Sequence, residues 1–412
     1  MASYVKSESG KRLTELMAGC YLGNHQRAQQ GAFVVWIAIG VPAEIFLGFE
    51  NVVYAVPESH AAMTAARGLG PAQCEKAERA GYSMDLCSYA RIDLGTAFDN
   101  GKDSPVGGLP KPDLLISNNN NCSLLVKWFD VLHREWKTPH FTLDIPFCYE
   151  VQSPQDKSYI LAQFHDLIRT IEGMSGQRFD IDRVAEATRC SSEATRHWKR
   201  FLACAESRPS GITAFDSFVQ MAPILTMRGT AAYAEHFRLL ADETEERMAT
   251  GLFPVADERY RLFWDNIAPW HQLRRMQKSL AERQANIIAA SYTFCIGGLE
   301  GTYDPWYFEG GDPLAYLART QNFSICPHGM TLRRAAMTGA LETLGIDWVI
   351  FASNRSCKPY SVMQMDQQRF ISETCGVSTV MIDIDHADSR SYSEKNAQLR
   401  IDALLENIEA RR

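Results

Sequence analysis

The sequence of 412 residues predicts an α/β protein. It would consist of two parallel-sheet, doubly wound domains facing a cleft, with a largely helical middle segment. Three observations predict this. Short apolar runs rich in β-branched residues occur towards both ends of the chain and are scarce in the middle. These runs alternate with stretches of helical periodicity, which implies parallel βαβ units. One strand–loop–cysteine–helix–strand pattern occurs twice. The expected boundaries are 1–152 for the N-terminal α/β domain, 153–255 for the helical segment and 256–412 for the C-terminal α/β domain.

Residues 33–39 (FVVWIAI) form a continuous apolar run and predict a strand buried on both faces. Residues 51–54 predict a second, shorter strand. Residues 114–117 (LLIS) and 141–145 (FTLDI) predict two more. Between those two, Leu125, Trp128, Phe129, Leu132 and Trp136 fall on one face of a helix over 123–136. From about 153 to 250 the chain is charged and helical in period, with long helices expected over 179–203 and 233–249. Strands return at 286–290 (NIIAA), 348–352 (WVIFA) and 378–384 (STVMIDI). Turns at Gly297-Gly298 and Gly310-Gly311 separate them.

Composition excludes several functions. With 42 basic and 49 acidic side chains the net charge is −7, which argues against nucleic acid as the main partner. The longest apolar stretch, 31–49, is broken by Pro42 and Glu44 and falls short of the roughly 20 residues a spanning helix needs. No apolar core follows the early charges of MASYVKSESGKRLTELM, so a cytoplasmic protein without a membrane anchor is expected. Eleven cysteines, an odd number in such a chain, argue against a disulfide framework. Taken singly, most would be small buried apolar residues. No CxxC pair or zinc-finger spacing is present, so any metal site would be assembled from distant segments. Neither GxxxxGK[ST] nor a helix-opening GxGxxG occurs.

The repeated pattern singles out two of the cysteines. PDLLISNNNNC (112–122) precedes a helix and a strand ending Asp144-Ile145-Pro146. DWVIFASNRSC (347–357) precedes a helix and a strand ending Asp383-Ile384-Asp385. Each half would place one cysteine, Cys122 or Cys357, just past the carboxyl end of a strand. Open parallel sheets bind ligands at that edge. A duplicated domain without a site would show the same echo. Cys87, in GYSMDLCSYAR (81–91), is expected at a helix start capped by Ser83 or Asp85, where the local field favours a thiolate. Three thiolates with one non-cysteine position would suit an iron–sulfur cluster with one open iron.

Four segments carry a resemblance to a known family. CEKAERAGYSMDLCSYARIDLG (74–95), NNNNCSLLVKWFDVLHREW (118–136), LFWDNIAPW (262–270) and SNRSCKPYSVMQMD (353–366) resemble the 2-hydroxyacyl-CoA dehydratase / benzoyl-CoA reductase family. The resemblance runs over nearly the whole chain. It implies a two-subunit, oxygen-sensitive enzyme acting on a CoA thioester. Each subunit would hold an iron–sulfur cluster, usually [4Fe-4S], and a separate ATP-hydrolysing activator would inject single electrons. The family cysteines match Cys87, Cys122 and Cys357, and the chain is similar to the substrate-binding subunit, whose cluster lacks a fourth cysteine. Cys74, Cys148 and Cys375 are not matched and are expected to be packing residues. The implied reaction is removal of water from an (R)-2-hydroxyacyl-CoA. Its thioester carbonyl would bind the open iron and become a ketyl radical anion on gaining one electron. Glu58, in AVPESH (55–60), matches a family glutamate and would serve as acid/base. Other readings of Glu58 are substrate positioning and a solvated carboxylate on a loop.

The chain also departs from the dehydratases. Ile37, Ala38 and Ile39 stand after Trp36, where dehydratases tend to carry hydroxyl side chains. Tyr292-Thr293 followed by Gly297-Gly298-Leu299 is similar to the reductase branch. The alternative is therefore a subunit of an ATP-dependent benzoyl-CoA-type ring reductase. Two further features are weighed against plain structural roles. Arg228 in Arg228-Gly229-Thr230 could hold a CoA phosphate or simply pair and cap. Trp264, Trp270 and His271 could line a pocket or belong to the core.

Overall fold

A computed structural model describes residues 7–149, 152–296, 307–321 and 329–411. Its β-structure is two four-stranded, wholly parallel sheets. The first holds β1 (Phe33–Ile37), β2 (Val52–Ala55), β3 (Leu114–Asn118) and β4 (His140–Leu143) in the order β2-β1-β3-β4. The second holds β5 (Tyr260–Asp265), β6 (Ala285–Ala290), β7 (Trp348–Asn354) and β8 (Ser378–Ile384) in the order β6-β5-β7-β8. The two orders are the same, with each strand replaced by the one four places later.

The equivalence extends to single hydrogen bonds. In the first half, the Val34 N–H donates to Asp113 Oδ2 at 2.8 Å and Asp113 N–H returns a bond to Val34 O at 2.7 Å. In the second, Arg261 N–H donates to Asp347 Oδ2 at 2.9 Å and Asp347 N–H donates to Arg261 O at 2.9 Å. The aspartate before the third strand thus locks the start of the first strand in both halves.

Most elements lie where the sequence puts them. The helix Ser123–Trp136 has the expected bounds and buries Leu125, Trp128, Phe129 and Leu132. The first strand ends at Ile37 rather than at residue 39, because Gly40 (φ +92°) begins a turn. The expected helix over 179–203 starts at Ile181, since Asp180 is extended and its side chain accepts from the N–H groups of Asp182 and Arg183. The helix expected at 233 begins at Ala231, capped by Thr230. One strand went unpredicted. β5 is central in its sheet, yet Arg261 interrupts its apolar run. That arginine is only 1% exposed. Its guanidinium bonds Glu258 at 2.7 Å, Ser207 O at 2.8 Å and Leu344 O at 3.0 Å. A fully paired cation can sit in a buried strand, where an unpaired one could not. Gly310-Gly311 forms a bend with positive φ, as expected, whereas Gly297-Gly298 lies outside the described residues.

Each sheet centres its own apolar core. The middle segment supplies both. The helix Ile181–Ala203 contributes Val184 to the first core and Ala194, Trp198, Phe201 and Leu202 to the second. Among the described residues, no helix is long and apolar enough to cross a membrane.

Candidate active site

The carboxyl ends of both sheets open onto one cavity of about 230 Å³. Its wall is assembled from the residues that follow strand ends. Ile37–Gly40 follow β1, Glu58 follows β2, Cys122 follows β3, Tyr292 follows β6, Cys357 follows β7 and His386 follows β8. Cys87 joins them from a separate helix start. The surface of the lining is mostly apolar.

Cys87, Cys122 and Cys357 share one local design. Each is the residue immediately before a helix: Ser88–Phe98, Ser123–Trp136 and Lys358–Ser361 respectively. The expected capping of the first helix by Ser83 or Asp85 does not occur. Ser83 Oγ instead accepts from the Asp85 N–H within a turn, and Cys87 itself holds the cap position. A cysteine there has helix N–H groups pointing at its sulfur. Those of Tyr89 and Ala90 favour a thiolate at Cys87, and those of Leu124 and Leu125 do so at Cys122. Burial opposes them and wins, pushing the Cys87 thiol up to about 12 and raising that of Cys122. None of the three is in a disulfide, and each keeps some exposed surface. By contrast Cys74 is fully buried, Cys148 is buried and Cys375 packs on the second core.

Among the described residues, no three or more His, Cys, Asp or Glu side chains gather as a site for a single metal ion. A polynuclear cluster makes a different demand. Its cysteines surround a group of several atoms, each ligating a different iron, rather than meeting at one point. Three thiols around one apolar cavity, two of them with backbone donors at the sulfur, fit that demand.

Glu58 is not a solvated loop carboxylate. It lies in the first turn of the helix Pro57–Ala66 and is 4% exposed. Its Oε1 accepts from the Ile39 N–H at 2.9 Å, and its Oε2 has no partner. Burial pushes the carboxyl up to about 7, against the opposing pull of the Ile39 hydrogen bond. It therefore exchanges a proton near neutral pH. A second buried carboxyl stands close by. Asp93 accepts from Trp128 Nε1–H at 2.7 Å, and burial, reinforced by the charge of Glu58, pushes it up to about 8.

Two further residues lining the cavity are not marked by any local sequence signal discussed above. His386 is fully buried and joins the halves. Its Nδ1 lies 3.0 Å from Asn354 Oδ1, and its Nε2 lies 3.0 Å from Ser88 Oγ and 3.7 Å from Cys87 Sγ. Asn354 Oδ1 only accepts, so Nδ1 carries the proton and Nε2 is the acceptor. Burial pulls its pKa down to about 4, which keeps the ring neutral. The one available signal was its place, two residues past the end of β8. Asn118, the last residue of β3, is the other. It is the first residue of the NNNN run at 118–121.

The remaining candidates resolve as follows. Arg228 lines the cavity, but its Nε donates to the fully buried Glu44 at 2.7 Å. Thr230 caps a helix, so this trio pairs and caps. Trp264 is core, Trp270 Nε1–H donates to Tyr89 Oη, and His271 Nε2 lies 3.1 Å from Asp385 O.

Comparison with known proteins agrees with this arrangement. The model for "2-hydroxyglutaryl-CoA dehydratase, D-component" matches residues 38–408. The (R)-phenyllactyl-CoA dehydratase alpha subunit of Clostridium sporogenes is 32% identical, covering 99% of this chain and 98% of that protein. The (R)-2-hydroxyisocaproyl-CoA dehydratase alpha subunit of Clostridioides difficile is 31% identical, covering 99% and 98%. A benzoyl-CoA reductase subunit of Thauera aromatica is 28% identical, covering 99% and 96%. With a family match over 371 residues (38 to 408) and relatives aligned from end to end, the chain belongs to the 2-hydroxyglutaryl-CoA dehydratase D-component family of enzymes.

Proposed function

We propose that the chain is the iron–sulfur subunit of an ATP-activated (R)-2-hydroxyacyl-CoA dehydratase. The observation that carries this reading is the convergence of three helix-capping cysteines, drawn from both halves, with a buried Glu58 on one apolar cavity. Cys87, Cys122 and Cys357 would hold a [4Fe-4S] cluster. When bound, the cluster supplies a low-potential electron and an open Lewis-acidic position for the thioester carbonyl. The chain's own residues supply the proton chemistry. Glu58, protonated near neutral pH, gives its proton to the departing C2 hydroxyl, which leaves as water. The carboxylate so formed then takes the C3 proton and is restored. The apolar wall of Ile37, Ala38 and Leu125 keeps bulk water from the reacting carbons. A second cluster-bearing subunit and a separate ATP-hydrolysing activator complete the system, in the cytoplasm.

The alternative is a benzoyl-CoA-type ring reductase subunit. The apolar side chains at 37–39 and the Thauera relative favour it. The two differ in whether the electron returns. Anaerobic complex given one electron per activator cycle should form many enoyl-CoA molecules per electron. One product per two electrons would instead establish the reductase. The same preparation should hold about four iron and four sulfide per cluster-bearing subunit, and Cys357→Ala should lose most of this chain's share, about half of the total. Iron unchanged in that variant would overturn the ligand assignment.

A further inference from the structure

The cavity wall between β1 and β3 has an apolar side and an amide side. Ile37, Ala38 and Ile39 form the first; Asn118, Asn120 and Asn121 form the second. The backbone of Ile39 links the two. Its N–H donates to Glu58, and its carbonyl accepts from Asn118 Nδ2 at 3.1 Å and from Asn121 Nδ2. The amide donors of Asn118 and Asn121 are thus used in shaping the wall. The acceptors of Asn118 and Asn120 are not. Asn118 Oδ1 and Asn120 Oδ1 are buried and have no hydrogen-bond partner, and Asn118 is 1% exposed. An oxygen left unpaired in this way is unfavourable, because it has given up water without gaining a partner. Among the described residues no protein donor reaches either oxygen. A hydroxyl donor on a ligand in this cavity would supply one.

We infer that Asn118 and Asn120 form the acceptor that recognises the C2 hydroxyl of the substrate, and so select a 2-hydroxyacyl thioester over the same thioester without the hydroxyl. This rests on the dehydratase reading. It also completes the proton arithmetic at one oxygen. A hydroxyl hydrogen given to the carboxamides leaves the oxygen lone pairs free to accept from Glu58 Oε2, which also has no partner and lines the same cavity. The amide side thereby orients the leaving group for the proton it receives.

The test is equilibrium binding to the anaerobic subunit complex without activator, so that no turnover occurs. The two probes are (R)-phenyllactyl-CoA and 3-phenylpropanoyl-CoA, which lacks the hydroxyl. The wild-type complex should prefer the first by about five- to tenfold, the worth of one well-placed hydrogen bond. Asn120→Ala should cut the preference below about twofold, and Asn120→Asp, which keeps an acceptor, should retain it. Asn118 also holds Ile39, so Asn118→Leu serves as a second variant, assessed only with its iron content intact. Equal binding of both probes by the wild type, with dehydration of the hydroxy compound, overturns this inference and leaves the dehydratase reading standing. An unchanged preference in Asn120→Ala overturns it as well. Failure of the wild-type complex to bind either probe, or (R)-2-hydroxyisocaproyl-CoA and isocaproyl-CoA in their place, would overturn both readings.

Discussion

At the scale of single residues, burial rather than residue type decides the chemistry. Glu58 has an ordinary glutamate's acidity in the unfolded chain and is pushed up to about 7 by burial in the fold. The folded state therefore binds its proton more tightly. Stability from this group is fully present at low pH. It falls as pH rises through 4.5 towards 7, and is flat beyond, because the carboxyl must then ionise while buried. Glu58→Gln carries no such dependence. The melting temperature of the cofactor-free variant, relative to wild type, should be higher at pH 8 than at pH 5. The difference should correspond to at most about 3 kcal/mol. A constant offset across that range would contradict the burial of an ionisable group here. Cys87, Cys122 and Cys357 could be singled out from local sequence patterns, and Glu58 from the family resemblance of its segment. His386 could not. Its partner Ser88 is 298 positions away, and no local pattern encodes a contact of that span.

At the scale of elements, apolar runs located seven of the eight strands, and helical periodicity located the helices at 123–136, 181–203 and 231–249, because these signals are local. Long helices such as Glu8–Gln29, Pro154–Ser175 and Met330–Leu344 are not marked by them. β5 escaped because the ion pair that allows Arg261 to be buried is tertiary. Packing between elements was also hidden. Gly95, within the helix Ser88–Phe98, brings that helix against the carbonyl of Gln73 on the helix Gly70–Arg79. A Cβ there would collide with backbone, which cannot swing aside. Gly95→Ala should therefore destabilise the protein by about 1–3 kcal/mol, although alanine is the better helix former. Denaturant unfolding would measure this. A gain in stability would show that the helices separate freely, and that the Cys87 cap is not held in place by this contact.

At the scale of the whole molecule, two copies of one sheet topology are joined face to face by charge as well as by packing. Arg91, on the Cys87 helix, is 1% exposed and reaches Asp388 beyond β8 at 2.8 Å and Glu78 at 2.7 Å. Arg390 pairs with the same two acids at 2.7 and 2.6 Å. Removing Asp388 leaves the buried Arg91 with Glu78 as its remaining acid partner, so Asp388→Ala should cost about 1–3 kcal/mol, read from the unfolding midpoint. An effect no larger than that of an exposed surface pair would show that the halves do not depend on this junction. The pairing of halves was foreshadowed by the repeated cysteine pattern, whereas the acids that close the junction belong to no repeat. The helix Ile181–Ala203 adds a different kind of tie. It spans roughly 34 Å at the usual rise per residue, with its start in one core and its end in the other. A recombination event that exchanged one half for that of a distant relative would have to carry over half the surface of this rod too. Descent should therefore have kept the two halves together, so that their present divergence records one shared history and not a later assembly of borrowed parts.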